Sequence, residues 1–212
     1  MILEVDKLIL YTDLKYRLGV AYKLVFFADE ALKSGVYYLE FEKIKNLLDS
    51  ENHDFLNKDN AKLLAYYALN YLFETVRITT FFENLLNAFL LINNKVVHFT
   101  IDSKTTYLVN KQKAMPINIS EISDLSHLGT NTIGIAFLKK ESYCNLLEFD
   151  FEFIEKLIPI FEYRNNVHFY TGVETDNLVE FIKLYEKILK LSKEKIDCTL
   201  NRISKLIIDL NH

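Results

Sequence analysis

Glycine and proline are scarce in this chain: five and two in 212 residues. So few breakers favour long uninterrupted elements and argue against a turn-rich all-β fold. Tryptophan is absent, and the two cysteines, Cys144 and Cys198, have neither zinc-ligand spacing nor the density of a disulfide framework. They read as ordinary reduced thiols of a cytoplasmic protein. No segment offers the roughly 20 uncharged apolar residues that a membrane-spanning helix needs. The start, Met1-Ile2-Leu3-Glu4-Val5-Asp6, lacks the basic-then-apolar layout of a secretory leader. Basic charge is also short. The net charge of −4 provides no general field for a polyanion, so a nucleic-acid site must be a local patch. Arginine supplies only four of the 25 basic residues (Arg17, Arg77, Arg164 and Arg202), which makes each one worth individual inspection.

What the chain has is apolar and aromatic. Half of its residues are hydrophobic, with 16 Phe and 13 Tyr, which excludes intrinsic disorder and supplies a substantial core. The spacing of Leu14, Leu18, Tyr22, Val25 and Ala28 predicts a helix from about Asp13 to Ser34. Within it, Lys23-Leu24-Val25-Phe26-Phe27-Ala28 has an aggregation-prone composition and must stay buried or helical. A second helix is predicted over 38–48. From Ala61 to Ile92 the apolar positions run almost all round, as in a helix enclosed by a bundle. The β-branched Ile78-Thr79-Thr80 is a candidate kink there, and Glu74 with Arg77 a candidate ion pair. Asn93-Asn94 ends that helix.

Beyond it, 96–101 and 105–109 read as a β-hairpin, 110–131 as irregular, and 133–138 as a further short strand. Helix returns over 149–163 with Pro159 inside it. From Asp176 to Leu210, apolar residues recur at alternating four and three spacings, a seam suited to bundle packing or to dimerisation. The expected fold is mostly α, a bundle of long helices with a small β-hairpin insertion in the middle of the chain. An N-terminal helical segment, 1–58, is expected to pack on a main bundle, 59–212, with the insertion at about 95–145.

Phosphate loops, zinc spacings, nucleophile elbows and dinucleotide fingerprints are missing, and His53, His98, His127 and His212 share no spacing. No cofactor and no metal are expected. The remaining chemistry lies in Glu162-Tyr163-Arg164-Asn165-Asn166-Val167-His168, which closes an apolar helical run. Arg164 and His168 are four apart, so on a continuing helix they lie about 40° apart on one face. A fixed cation beside a titratable imidazole suits phosphodiester cleavage: one stabilises developing negative charge, the other moves protons. A structural reading also fits, because histidine near a helix C-terminus is favoured by the dipole and asparagine commonly ends helices.

These residues resemble the HEPN superfamily, helical-bundle proteins whose ribonuclease members carry an Arg-Asn-containing R-x(4–6)-H motif at a helix end. Phe82-Glu83-Asn84-Leu85-Leu86-Asn87-Ala88-Phe89-Leu90-Leu91 is similar to the family's earlier helix, in which an acidic residue precedes a leucine-rich run. Here three residues separate Arg164 from His168, one fewer than the family minimum. The shorter gap leaves open a variant geometry, a degenerate site or a coincidence of spacing. The resemblance implies a homodimer whose paired motifs line one cleft, and metal-independent cleavage of RNA. It gives His168 the role of acid or base, Arg164 that of phosphate clamp and Asn165 that of orienting group. Glu83 or Glu74 would polarise the site from the neighbouring helix. A toxin or defence role follows, with an antitoxin or nucleotidyltransferase as partner. The alternative is a non-catalytic helical module that binds such a partner.

Overall fold

The computed structural model describes residues 4–33, 58–100, 115–122, 124–147, 149–166, 194, 196–206 and 208–209. Their architecture is mostly helical, as expected, and is organised around one long helix. The described helices are α1 (Glu4–Thr12), α2 (Leu14–Lys33), α3 (Lys58–Ile92), the single turn α4 (Glu141–Cys144) and α5 (Phe151–Asn166). Residues 196–206 are also helical. None of these helices is long and apolar enough to cross a membrane.

Helix α3 is buried on every side near its end: Leu85, Leu86, Ala88, Phe89, Leu90, Leu91 and Ile92 are all in the core. An apolar surface of that width needs partners all round. Helices α2 and α5 and the 3-10 turn Ile135–Lys139 supply them. Phe82 is the centre of the aromatic packing, with ring centroids 4.9 Å from Phe81, 5.6 Å from Phe149 and 5.5 Å from Phe161. The candidate kink does not divide α3. Thr79 Oγ1 donates to the Thr75 carbonyl at 2.5 Å and Thr80 Oγ1 to that of Val76 at 2.8 Å. Both hydroxyls thus stay within the helix's own ladder instead of competing with it.

Helix α2 begins where Asp13 accepts the Tyr16 N–H at 2.9 Å, a side-chain cap on a free backbone donor. Its buried seam is Leu18, Ala21, Val25 and Ala28. Leu14 and Tyr22, expected on that seam, are exposed, because the inward stripe runs through Ala21 instead. The aggregation-prone stretch is helical as expected, with Phe26 and Phe27 facing solvent. Helix α3 ends at Asn93-Asn94 by a left-handed cap. Asn94 has φ 56°, the Lys95 N–H reaches the Leu90 carbonyl at 2.7 Å, and the Asn94 N–H reaches that of Leu91 at 3.2 Å. Asparagine tolerates this conformation better than most residues with a Cβ.

The small β element is present, with a partner the sequence did not indicate. Strand β1 (His98–Thr100) pairs antiparallel with β2 (Leu128–Thr132), His98 opposite Thr132 and Thr100 opposite Leu128. The expected hairpin partner, 105–109, lies outside the described residues, as does the helix expected over 38–48. Part of the stretch read as irregular is therefore strand. The strand expected over 133–138 is instead the 3-10 turn Ile135–Lys139, which buries Ile135, Phe137 and Leu138. Helix α5 runs through Pro159 to Asn166. On the C-terminal stretch Ile196 and Ile203, seven residues apart on the expected seam, are buried, and so is Thr199 between them.

Phe82→Ala should lower stability by about 3–5 kcal/mol, the usual cost of a large aromatic cavity. Phe27→Ala, on the exposed face, should stay within about 0.5 kcal/mol of the parent. Urea unfolding monitored by circular dichroism separates the two.

Candidate functional site

The backbone puts Arg164 and Asn165 in a helical turn of α5 (Phe151–Asn166). Their side chains lie outside the described part of the chain, and so does His168. The local frame around that turn is nevertheless well defined. Phe161, one turn before Arg164, is buried against Phe82 in the middle of α3. Glu162, which could have paired with Arg164, forms an ion pair with Lys139 at the end of the 3-10 turn. This part of α5 therefore packs on the part of α3 that carries Glu83.

Glu83 is half-buried and has structural work. Its Oε1 accepts the Ile135 N–H at 3.3 Å, which places the carboxylate at the N-terminal end of the 3-10 turn. A negative charge is favourable there because the first N–H groups of a helix lack internal acceptors. A Cβ added at Gly134 would stand 3.3 Å from the same oxygen, so the close approach depends on glycine. One turn further along α3, Asn87 Nδ2 donates to the Glu83 carbonyl at 2.9 Å and to the Ile133 carbonyl at 3.1 Å. Glu83 and Asn87 together fasten residues 133–135 onto α3. Glu74 also lies on α3, with its side chain outside the described residues, so its expected pairing with Arg77 lies outside them too.

A polar cluster that sequence reading did not single out joins the N-terminus to the β pair. Tyr11 Oη lies 2.6 Å from His98 Nδ1 and accepts the backbone N–H groups of Val97 and His98, each at 3.2 Å. A phenol oxygen has two lone pairs and one proton. With both lone pairs engaged, the proton goes to Nδ1, which assigns the imidazole as neutral and protonated at Nε2. Around this pair, Lys7 Nζ donates to the Gly129 carbonyl at 3.2 Å. Arg17 donates to the Tyr11 carbonyl at 3.3 Å and to Asn94 Oδ1 at 2.8 Å. Lys7 and Arg17 are only 8 % and 7 % exposed, and His98 1 %, so these are cations and an imidazole held inside the fold.

The electrostatics follow from that burial. Desolvation, then the charge of Lys7, pushes His98 down to about 4. Burial raises Tyr11 above the usual phenol range, partly opposed by its two backbone hydrogen bonds and by Arg17. Burial lowers Arg17, opposed by Asp13 and Tyr11. Elsewhere, burial alone raises Tyr143 to about 12. Burial, with Asp150 and Glu141, raises Cys144 to about 11, so its thiol is protonated and unreactive at neutral pH. Among the described residues no group of three or more His, Cys, Asp or Glu could hold a metal ion.

Two signals for the Tyr11 cluster were available in the sequence. Lys7 and Tyr11 are four apart and so share one face of α1, and Arg17 is one of only four arginines. Their partners, 77 to 122 residues away, were not legible. Tyr11→Phe removes the acceptor of two buried N–H groups and the donor to Nδ1. Destabilisation of about 1–3 kcal/mol is expected, read as a lower midpoint of urea unfolding at pH 7.

Compared with known protein families, with curated proteins and with solved structures, the chain finds no match.

Proposed function

We propose that the chain is a HEPN-like, metal-independent endoribonuclease of the toxin or defence type, acting through Arg164, Asn165 and His168. The reading rests on the resemblance of the Arg-Asn-containing motif. The observation that supports it is that Arg164 and Asn165 lie on α5. The packing of Phe161 on Phe82 adds to it by setting this helix against α3 at the segment containing Glu83, the acidic helix of the resemblance.

The chemistry needs two protomers facing each other, so that two copies of the motif line one cleft. One His168 takes the proton of an RNA 2′-hydroxyl as its oxygen attacks the adjacent phosphorus. The bond to the 5′-oxygen breaks, and that oxygen leaves with a proton supplied by the second imidazole. A cyclic 2′,3′-phosphate and a 5′-hydroxyl result. An ordinary imidazole titrates near about 6.5, which suits both proton transfers at neutral pH. Arg164 holds the phosphate and offsets the charge that gathers on its oxygens. Asn165 orients the cleft by hydrogen bonding. Glu83 contributes by holding the neighbouring 133–135 segment in place.

The second reading keeps the helical scaffold without the catalysis: a module that binds an antitoxin or nucleotidyltransferase. Glu83 favours it, since its carboxylate is already engaged in fastening the fold.

Purified protein should cleave RNA in the presence of EDTA. His168→Ala should reduce the rate by about 10²–10⁴-fold, the usual contribution of a positioned acid or base. Arg164→Ala should cost about 10²–10³-fold, by analogy with loss of an oxyanion donor. Both variants should melt within about 2 °C of the parent if the loss is chemical, since surface changes move stability little. Unchanged cleavage by His168→Ala refutes the nuclease reading. An inactive parent that co-purifies with a stoichiometric partner supports the binding module.

A further inference from the structure

The Tyr11–His98 junction has no place in the proposed chemistry, yet its polar groups are enclosed within the fold. Side chains of α1 hold that helix to backbone and side-chain groups at the β pair. Lys7 and Tyr11 come from α1, His98 from β1, and the Gly129 carbonyl from β2. Arg17, near the start of α2, bonds the carbonyl of Tyr11 and the cap residue Asn94. Among the described residues, the titratable and charged groups that act on the imidazole and its phenol partner include Lys7 and Tyr11 from α1, and Arg17, with Asp13 beside it, from the α1–α2 junction.

The junction accepts only one protonation state. Tyr11 Oη has both lone pairs occupied by backbone N–H groups, so its hydroxyl proton has to point at Nδ1. Adding a proton to Nδ1 sets two hydrogens against each other at a 2.6 Å separation of the heavy atoms. It also adds a positive charge beside the ammonium of Lys7, in a place where water does not reach. Relief comes by moving Tyr11, and Tyr11 moves with α1.

We propose that the Tyr11–His98 junction is a proton-sensitive latch, which fastens α1 to the β pair when the imidazole is neutral and releases the helix when Nδ1 is protonated. The sign follows from linkage. Inside the fold the ring is pushed down to about 4, whereas a released histidine titrates near about 6.5. The latch is at full strength above that upper value. It weakens as pH falls, by about tenfold in the opening equilibrium per pH unit, until the lower value is reached. The device belongs to acidification, and its readout is the freedom of residues 4–12.

Hydrogen exchange on the full-length protein between pH 7 and pH 4.5, corrected for intrinsic rates, tests this. The amides of α1 should lose protection by tenfold or more relative to those of α3. His98→Asn keeps an acceptor near the position of Nδ1 that does not titrate, and its α1 protection should stay level over the same range. If the parent's α1 protection does not change relative to α3, the latch is refuted. If His98→Asn follows the parent's course, other carboxyl or histidine titrations are responsible and the latch is likewise refuted. Should the variant fail to fold, imidazole NMR of the parent decides. A His98 titration well below 6.5 that coincides with α1 opening upholds the latch; a midpoint near 6.5, or one separate from the opening, overturns it.

Discussion

An α-helix whose last two turns are apolar on every side cannot rest on a surface; it has to be enclosed. That constraint on α3 organises the described fold. Helix α2 covers one face with a narrow seam of Leu18, Ala21, Val25 and Ala28, small enough at two positions to bring the helices close. Helix α5, the 3-10 turn and the residues between them cover another through Phe137, Phe149, Phe153 and Phe161. Polar side chains on and just beyond α3 also tie neighbouring segments to it. Asn87, Glu83 and Asn94 each hold one by a hydrogen bond.

The two polar centres differ in what holds them. The part of α5 with Arg164 and Asn165 is positioned by apolar packing one turn earlier, where Phe161 meets Phe82, and by the ion pair of Glu162 with Lys139. The Tyr11 cluster is enclosed, built from hydrogen bonds between distant segments, and depends on a single tautomer.

Local signals were well read from sequence because their physics is local. The start of α2 near Asp13, Asn93-Asn94 ending α3, and Pro159 lying within α5 each depend on a handful of neighbouring residues. The all-round apolar pattern of 61–92 correctly indicated enclosure. The long-range pairing was not legible. β1 pairs with β2, a strand the sequence did not indicate, and Tyr11 and Lys7, far away in the chain, bond backbone groups at that pair. The segment 133–138 has strand-like composition, but Glu83 and Asn87 draw residues 133–135 onto α3 and a 3-10 turn follows. At the candidate site the helix that carries Arg164 and Asn165 was legible, since it follows from periodicity. The mutual placement of a guanidinium and an imidazole was not, because it depends on how the chain runs between them.

The long span of the N-terminal contacts has a consequence for biosynthesis. Lys7 waits for Gly129, a separation of 122 residues, and Tyr11 waits for His98. At a ribosomal rate of about 5–20 residues per second, the first helices emerge roughly 6–24 s before the last of these contacts can form. In the early part of that interval, until α3 has followed it out, the Lys23–Ala28 stretch has no partner helix to lean on, and its apolar seam is open to any passing chain. Helix formation, which is far faster, is then the only protection it has. A holding chaperone on the nascent chain and a modest translation load are the conditions under which this protein should be recovered in good yield.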